Sequence, residues 1–170
     1  MASGRDHDRA TLIGCVPAGM LSGFWLGWGL GALTAAAFAW GGLWLSPDLD
    51  TRSRALKRWG ALGWIWRPYR TLIPHRSLFS HGPLIGTGLR LAWMLIVGVL
   101  GWIALTALPG WSGPAPSEAL PVVLHWLRKH PRPVLAVLLG LETSVWLHLI
   151  LDGDPLPAEW PRHWPHGRHR

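Results

Sequence analysis

The first apolar run is too long for one membrane crossing and tight for two. From Ala10 to Leu45 no residue is charged, a span of 36 residues. A straight helix of that length reaches ~54 Å, against a hydrocarbon core of ~30 Å. Two helices joined by a tight turn fit better, and Gly23, Gly27, Gly29 and Gly31 place the turn near Ser22–Trp28. The expected helices cover about 10–24 and 28–46, short enough to ask for a thin or locally deformed bilayer. A single long re-entrant segment is the alternative. Pro47 ends the second helix, because proline disfavours helical geometry at the residue before it.

A third apolar run covers about 83–108 and is interrupted only by Arg90. Residues 109–133 form a Pro-rich polar loop with a short helix expected at Ser117–Lys129. The fourth run, about 134–151, carries Glu142 and His148. Between the second and third runs, Trp59, Trp64, Trp66 and Tyr69 alternate with glycines and basic residues, the pattern of a segment lying in the membrane interface. The expected fold class is therefore all-α: a polytopic membrane protein with about four transmembrane helices and an interfacial Trp-rich segment. Residues 1–153 form a single transmembrane helical domain, and 154–170 a Pro/His-rich, irregular tail. His163, His166 and His169 in that tail offer at most a weak accessory clamp for a metal.

Composition agrees. Hydrophobic residues make up 49% and charged residues 15%, below the roughly 25% usual in soluble domains. Fourteen Trp against one Tyr suit a chain with extensive membrane–water boundary. The net charge of +7 raises nucleic acid as a partner, but the basic residues flank the apolar runs, where anionic headgroups are the simpler partner. Nucleic acid binding is not expected. Of 16 Lys and Arg, only Arg128, Lys129 and Arg132 fall on the side away from the termini. The positive-inside rule then puts both termini and the Asp48–His81 segment in the cytoplasm, with the chain in a bacterial inner membrane or an equivalent internal one. Cys15 is the single cysteine, so neither an intrachain disulfide nor a cysteine-rich zinc site is available.

Four crossings bring a particular set of residues to one face. His7 and Asp8 precede helix one, and Asp48 and Asp50 follow helix two. His75 and His81 precede helix three, while His148 and Asp152 end helix four. Imidazole nitrogens and carboxylate oxygens are the ligands zinc and its first-row neighbours take when thiolates are absent. His148 and Asp152 stand four apart, on one face of a helix. Asp48-Leu-Asp50 offers two carboxylates from a turn, although Asp50 could instead cap the next helix. The six-residue spacing of His75 and His81 fits a loop. Arg90 and Glu142 lie inside apolar runs at similar depth and are expected to pair across helices three and four.

The segments GRDHDR (Gly4–Arg9), GGLWLSPDLDTRSR (Gly41–Arg54), PHRSLFSHGP (Pro74–Pro83) and HLILD (His148–Asp152) together resemble the membrane-bound metal-dependent hydrolase family. They are most similar to a branch of small metal-binding membrane proteins of unknown function. More distantly the order resembles zinc-dependent phospholipase C and the single-strand-specific zinc nucleases. The resemblance implies a divalent ion, zinc first with manganese or iron as alternatives, held by His7, Asp48, His81, His148 and Asp152. Asp50 and His75 would touch the ion or brace its ligands. The chain departs from that pattern in its histidine spacing and in lacking an H-x-x-x-E pair, so one or two ions are expected instead of three.

If hydrolysis occurs, the implied chemistry is metal-assisted attack of water on an ester, phosphoesters first. Asp50 would act as base, and Arg76, with Arg52, would hold an anionic or lipid-like substrate. Headgroup anchoring is the competing role for both arginines. A non-catalytic metal-binding or structural subunit of a larger membrane complex is the alternative function. A tetrapyrrole handler using His7, His75 or His148 is a further one.

Overall fold

The computed structural model describes residues 3–153, and over these the chain is helical with no strand. In order come α1 (Gly4–Leu26), α2 (Trp28–Leu43), a 3₁₀ turn (Pro47–Asp50), α3 (Arg54–Arg58), a 3₁₀ stretch (Gly60–Trp66), α4 (Arg67–Leu72) and α5 (Leu78–His81). Then follow α6 (Ile85–Thr106), α7 (Pro116–Lys129) and α8 (Pro131–Asp152). The tail histidines lie outside the described residues.

α1 starts well before the uncharged run because Ser3 caps it. The Asp6 amide donates to Ser3 Oγ at 3.4 Å, and the Ser3 amide donates back to Asp6 Oδ2 at 2.9 Å. This reciprocal box satisfies two amide groups that a helix start leaves open. The helix ends at Leu26 because Gly27 adopts φ +97°, a conformation side chains disfavour.

Three segments are long and apolar enough to cross a membrane: Trp28–Asp50, Ile85–Thr106 and Pro131–Asp152. α1, the fourth span expected, is not among them. Its first turns carry Arg5, Asp6, Asp8 and Arg9, and the uncharged remainder is diluted by glycine, serine and threonine.

α1 and α2 pack as an antiparallel hairpin whose backbones nearly touch. A Cβ at Gly31 would lie 2.5 Å from the Gly19 carbonyl oxygen and 2.6 Å from Gly23 Cα. Further along, Gly14 meets Phe38 and Gly42 meets Thr11. α8 runs parallel to α2: Thr34 Oγ1 donates to the Ala136 carbonyl at 3.1 Å, Gly140 meets Thr34 and Ala37, and Gly41 meets Ser144. Small residues at such crossings let the backbones approach closely and pack densely. The start of α1, the end of α2 and the end of α8 therefore share one end of the bundle.

Residues 47–73 fold over that end as a cap. Leu49 and Trp66 are fully buried, and Tyr69 nearly so. Trp66 packs edge-on against both Trp59 and Tyr69, and Tyr69 in turn meets Trp93 of α6. The indoles of Trp59 and Trp93 donate to the carbonyls of Trp44 and Ile65 at 3.0 and 3.1 Å. The aromatic segment read as interfacial is thus largely the core of the cap. Only Trp64, 67% exposed, keeps an outward position. Periodicity cannot separate the two roles, because both want large rings with one polar edge.

Replacing Gly31 by Val should destabilise the bundle by about 1–3 kcal/mol through overpacking. Gly29→Ala, where a Cβ meets nothing within 4 Å, should leave stability unchanged or slightly raised. Denaturant titration in detergent, followed by circular dichroism, measures both.

Candidate metal centre

Each element delivers its side chains for a local reason. His7 lies in the first turns of α1, drawn into the helix by the Ser3 cap. Asp48 and Asp50 occupy the turn after α2, where Ser46 Oγ accepts the Asp48 amide at 3.4 Å and Pro47 supplies the break. His75 sits in the bend after α4, and His81 ends α5. His148 and Asp152 lie one turn apart at the end of α8.

Asp48, His81, His148 and Asp152 form one tight group, with a ligand atom from each lying within 4.8 Å of the others. His148 Nε2 lies 3.4 Å from Asp152 Oδ2 and 3.6 Å from Asp48 Oδ1, and His81 Nε2 lies 3.9 Å from Asp48 Oδ1. Neither His81 Nε2 nor His148 Nε2 makes a hydrogen bond, although both are buried. A buried polar nitrogen left in this state is costly. Ligand atoms around a tetrahedral ion with bonds of about 2.0–2.1 Å stand about 3.3 Å apart. The observed spacings approach that value more closely than they approach direct hydrogen bonding. The donor set, two imidazoles and two carboxylates, suits zinc, iron or manganese. The residues fit a divalent ion.

A surrounding layer orients these four. Ser80 Oγ donates to the Pro74 carbonyl at 3.1 Å, so its lone pair faces His81 Nδ1 at 2.9 Å. Asp50 Oδ2 lies 3.5 Å from the same nitrogen. These partners put the proton on Nδ1 and leave Nε2 with the lone pair a cation needs. Asp50 Oδ1 accepts from His75 Nδ1 at 2.9 Å, and the Asp50 side chain has no exposed surface. Asp50, His75 and His81 form a second group of potential ligands sharing His81 with the first.

On the other side, His7 Nε2 pairs with Asp152 Oδ1 at 3.1 Å, and its ring stacks on His148 at 4.1 Å between centroids. Arg76, at φ +57°, brings Nη2 to 3.7 Å from Asp152 Oδ2. Asp8 stands apart and binds Arg54 and Arg58, at 2.7 and 2.5 Å. Arg52 is exposed and lines a different cleft.

Burial, with the neighbouring His148, pushes His81 down to about 3. Its imidazole is thus neutral at physiological pH, the form that ligates a metal. The unfolded chain takes a proton at this position below about pH 6.5 while the folded chain does not. The metal-free protein should accordingly lose stability as pH falls from 6.5 towards 3. His81→Asn should flatten that slope, as read from unfolding midpoints between pH 7 and 4.5.

Beneath the site, the Arg90–Glu142 contact expected from depth is replaced by a relay, with no direct ion pair within 4.0 Å among the described residues. Arg90, 1% exposed, donates from Nη1 to the Ser80 carbonyl at 2.6 Å and from Nη2 to Thr87 Oγ1 at 3.4 Å. Thr87 Oγ1 donates on to Glu142 Oε2 at 2.8 Å, while Glu142 Oε1 accepts the Leu84 amide at 2.8 Å. The threonine hydroxyl spans the gap, and the carboxylate caps the start of α6. Arg90→Met should cost about 1–3 kcal/mol, because the buried Ser80 carbonyl loses its donor and half-buried Glu142 loses the charge relayed through Thr87. Adding Glu142→Gln should recover part of that loss in the same unfolding assay.

Sequence reading named all four residues of the central group and the flanking His7, Asp50, His75 and Arg76, which the fold brings to one end. It missed Ser80 and Thr87, whose hydroxyls carry no pattern, and the clamp of Arg90 on the Ser80 carbonyl. An arginine in an apolar run marked the place but not the partner.

The fold and site together define a small all-helical protein with candidate metal-ligand groups of His and Asp. The chain matches, over residues 2–163, the family described as uncharacterized metal-binding protein (DUF2227), and it belongs to that family. Comparison with curated proteins and with solved structures finds no significant match.

Proposed function

We propose that this chain is an integral membrane protein whose Asp48, His81, His148 and Asp152 hold one divalent ion at the cytoplasmic face for hydrolysis of a phosphoester or related ester. Zinc is the first choice of ion, with manganese or iron as alternatives. The observation that carries the reading is the pair of buried imidazole nitrogens, His81 Nε2 and His148 Nε2, without hydrogen bonds beside two carboxylates. A divalent ion would supply Lewis acidity to polarise an ester oxygen and acidify a water.

The chain's own groups divide the remaining work. Asp48, with 26% of its side chain exposed against 8% or less for the other three, forms the open edge by which water and substrate reach the ligands. Asp50, fully enclosed between His75 and His81, orients imidazoles instead of serving as the base that its position first suggests. His7 holds Asp152 through Oδ1 and leaves Oδ2 towards the group. Arg76 sets a guanidinium beside Asp152, in position to bind an anionic ester oxygen.

Membrane placement rests on the exposed apolar surface. Phe24 and Trp25 on α1 are 75% and 76% exposed, and Leu95 and Leu100 on α6 exceed 60%. Apolar contiguity on this scale calls for lipid or protein cover. α1 packs tightly against α2 and so acts as the fourth crossing despite its lower hydropathy. The excess of Lys and Arg at the site end supports a cytoplasmic orientation for that end and for both termini.

Elemental analysis of detergent-purified protein should find about one divalent ion per chain. Asp48→Asn and His148→Ala should both lose it, and Asp50→Asn should retain it with about 10–100-fold weaker affinity. Unchanged metal content in the first two variants would remove the site. Metal-loaded protein that leaves bis(p-nitrophenyl) phosphate intact, while its first two variants still lose metal, would keep the binding reading and drop that hydrolase activity.

A further inference from the structure

Outside the metal centre, the cap carries a second feature with its own chemistry. A cleft of about 360 Å³ opens between α3, the 3₁₀ stretch and α4, lined by Arg52, Lys57, Arg67 and Arg70 with Trp64 at its edge. Four cations lining one cleft repel one another unless an anion joins them. Among the described residues no acidic group lies within 4.0 Å of any of the four. Asp8, near this side of the cap, is already taken by Arg54 and Arg58. Arg70 Nε is buried and makes no hydrogen bond.

The cleft is partly apolar, lined also by Leu56 and Trp64. Trp64 and the nearby chain positions Leu62 and Leu72 are 67%, 58% and 70% exposed, and the cap continues from the apolar segment Trp28–Asp50. A soluble anion would gain nothing from those side chains. A lipid would place its phosphate among the guanidinium groups and its glycerol and upper acyl carbons against the indole and leucines.

We propose that this cleft is a binding site for the phosphate headgroup of an anionic phospholipid. The inference rests on the membrane placement above but not on the metal. Arg67 and Arg70 meet the phosphate oxygens by forked hydrogen bonds, Arg52 and Lys57 add charge, and Trp64 lies at headgroup depth. The site draws on a local shape as well as net charge, which separates it from Arg128 and Lys129 of α7.

The test uses full-length protein in a neutral detergent, titrated with short-chain phosphatidylglycerol, with phosphatidylcholine of the same chain length, or with inorganic phosphate. Bound ligand is counted by native mass spectrometry. Phosphatidylglycerol should bind about tenfold or more tightly than phosphatidylcholine. Arg67→Gln/Arg70→Gln should abolish the preference, and Arg128→Gln/Lys129→Gln should keep it. Lys57→Gln/Arg67→Gln, both at exposed positions, decides the matter if loss of Arg70 disturbs the helical spectrum. Equal binding of the two lipids, or a preference that survives these cleft substitutions, overturns the site. Inorganic phosphate competing as well as the lipid overturns the lipid assignment. Alkaline extraction of native membranes is scored separately: release of the wild-type chain sinks the membrane reading, whereas retention with no lipid preference sinks only this cleft.

Discussion

The arrangement depends on three helices approaching at positions that have almost no side chain. Gly19, Gly23 and Gly31 let α1 and α2 touch backbone to backbone, and Gly41 and Gly140 do the same for α2 and α8. Dispersion falls steeply with distance, so backbones this close gain contacts that larger side chains at these positions would prevent. It also fixes geometry. One antiparallel and one parallel crossing bring the start of α1 and the ends of α2 and α8 together, and everything chemical follows from that meeting.

At that end, burial and charge work against each other until an ion is considered. His81 and His148 are enclosed, their Nε2 atoms lack hydrogen bonds, and two carboxylates stand beside them at distances suited to shared coordination. The outer layer reduces the freedom of these groups. Ser80 and Asp50 set the proton on His81 Nδ1, while His7 occupies one oxygen of Asp152. Such partners raise ligand basicity and hold ring orientation, which makes them part of the centre. The relay from Glu142 through Thr87 and Arg90 to the Ser80 carbonyl anchors this layer to α6 and α8.

The cap keeps the candidate metal centre and the basic cleft apart. Its aromatic core of Trp59, Trp66 and Tyr69 stiffens a segment made of short helices that would be marginal alone. Acidic groups gather at the candidate metal centre, while cations with no acidic partner among the described residues line the outer cleft. Because residues 47–73 serve both, Asp50 and Arg52, two positions apart, contribute to different sites.

By itself the chain's pattern determined that the described residues are helical, that one turn falls among the early glycines, and which His and Asp residues sit at helix ends. Those properties depend on local spacing: uncharged stretches of definite length, prolines that stop helices, and ligand types four residues apart. Tertiary structure decided the rest. It put Trp66 and Tyr69 in a core instead of an interface, inserted Thr87 between Arg90 and Glu142, and enclosed Asp50 as a brace for two histidines. It also brought His7 of α1 to Asp152 of α8. None of these has a period or a spacing to read, because each depends on which backbones approach closely enough for one particular atom to meet another.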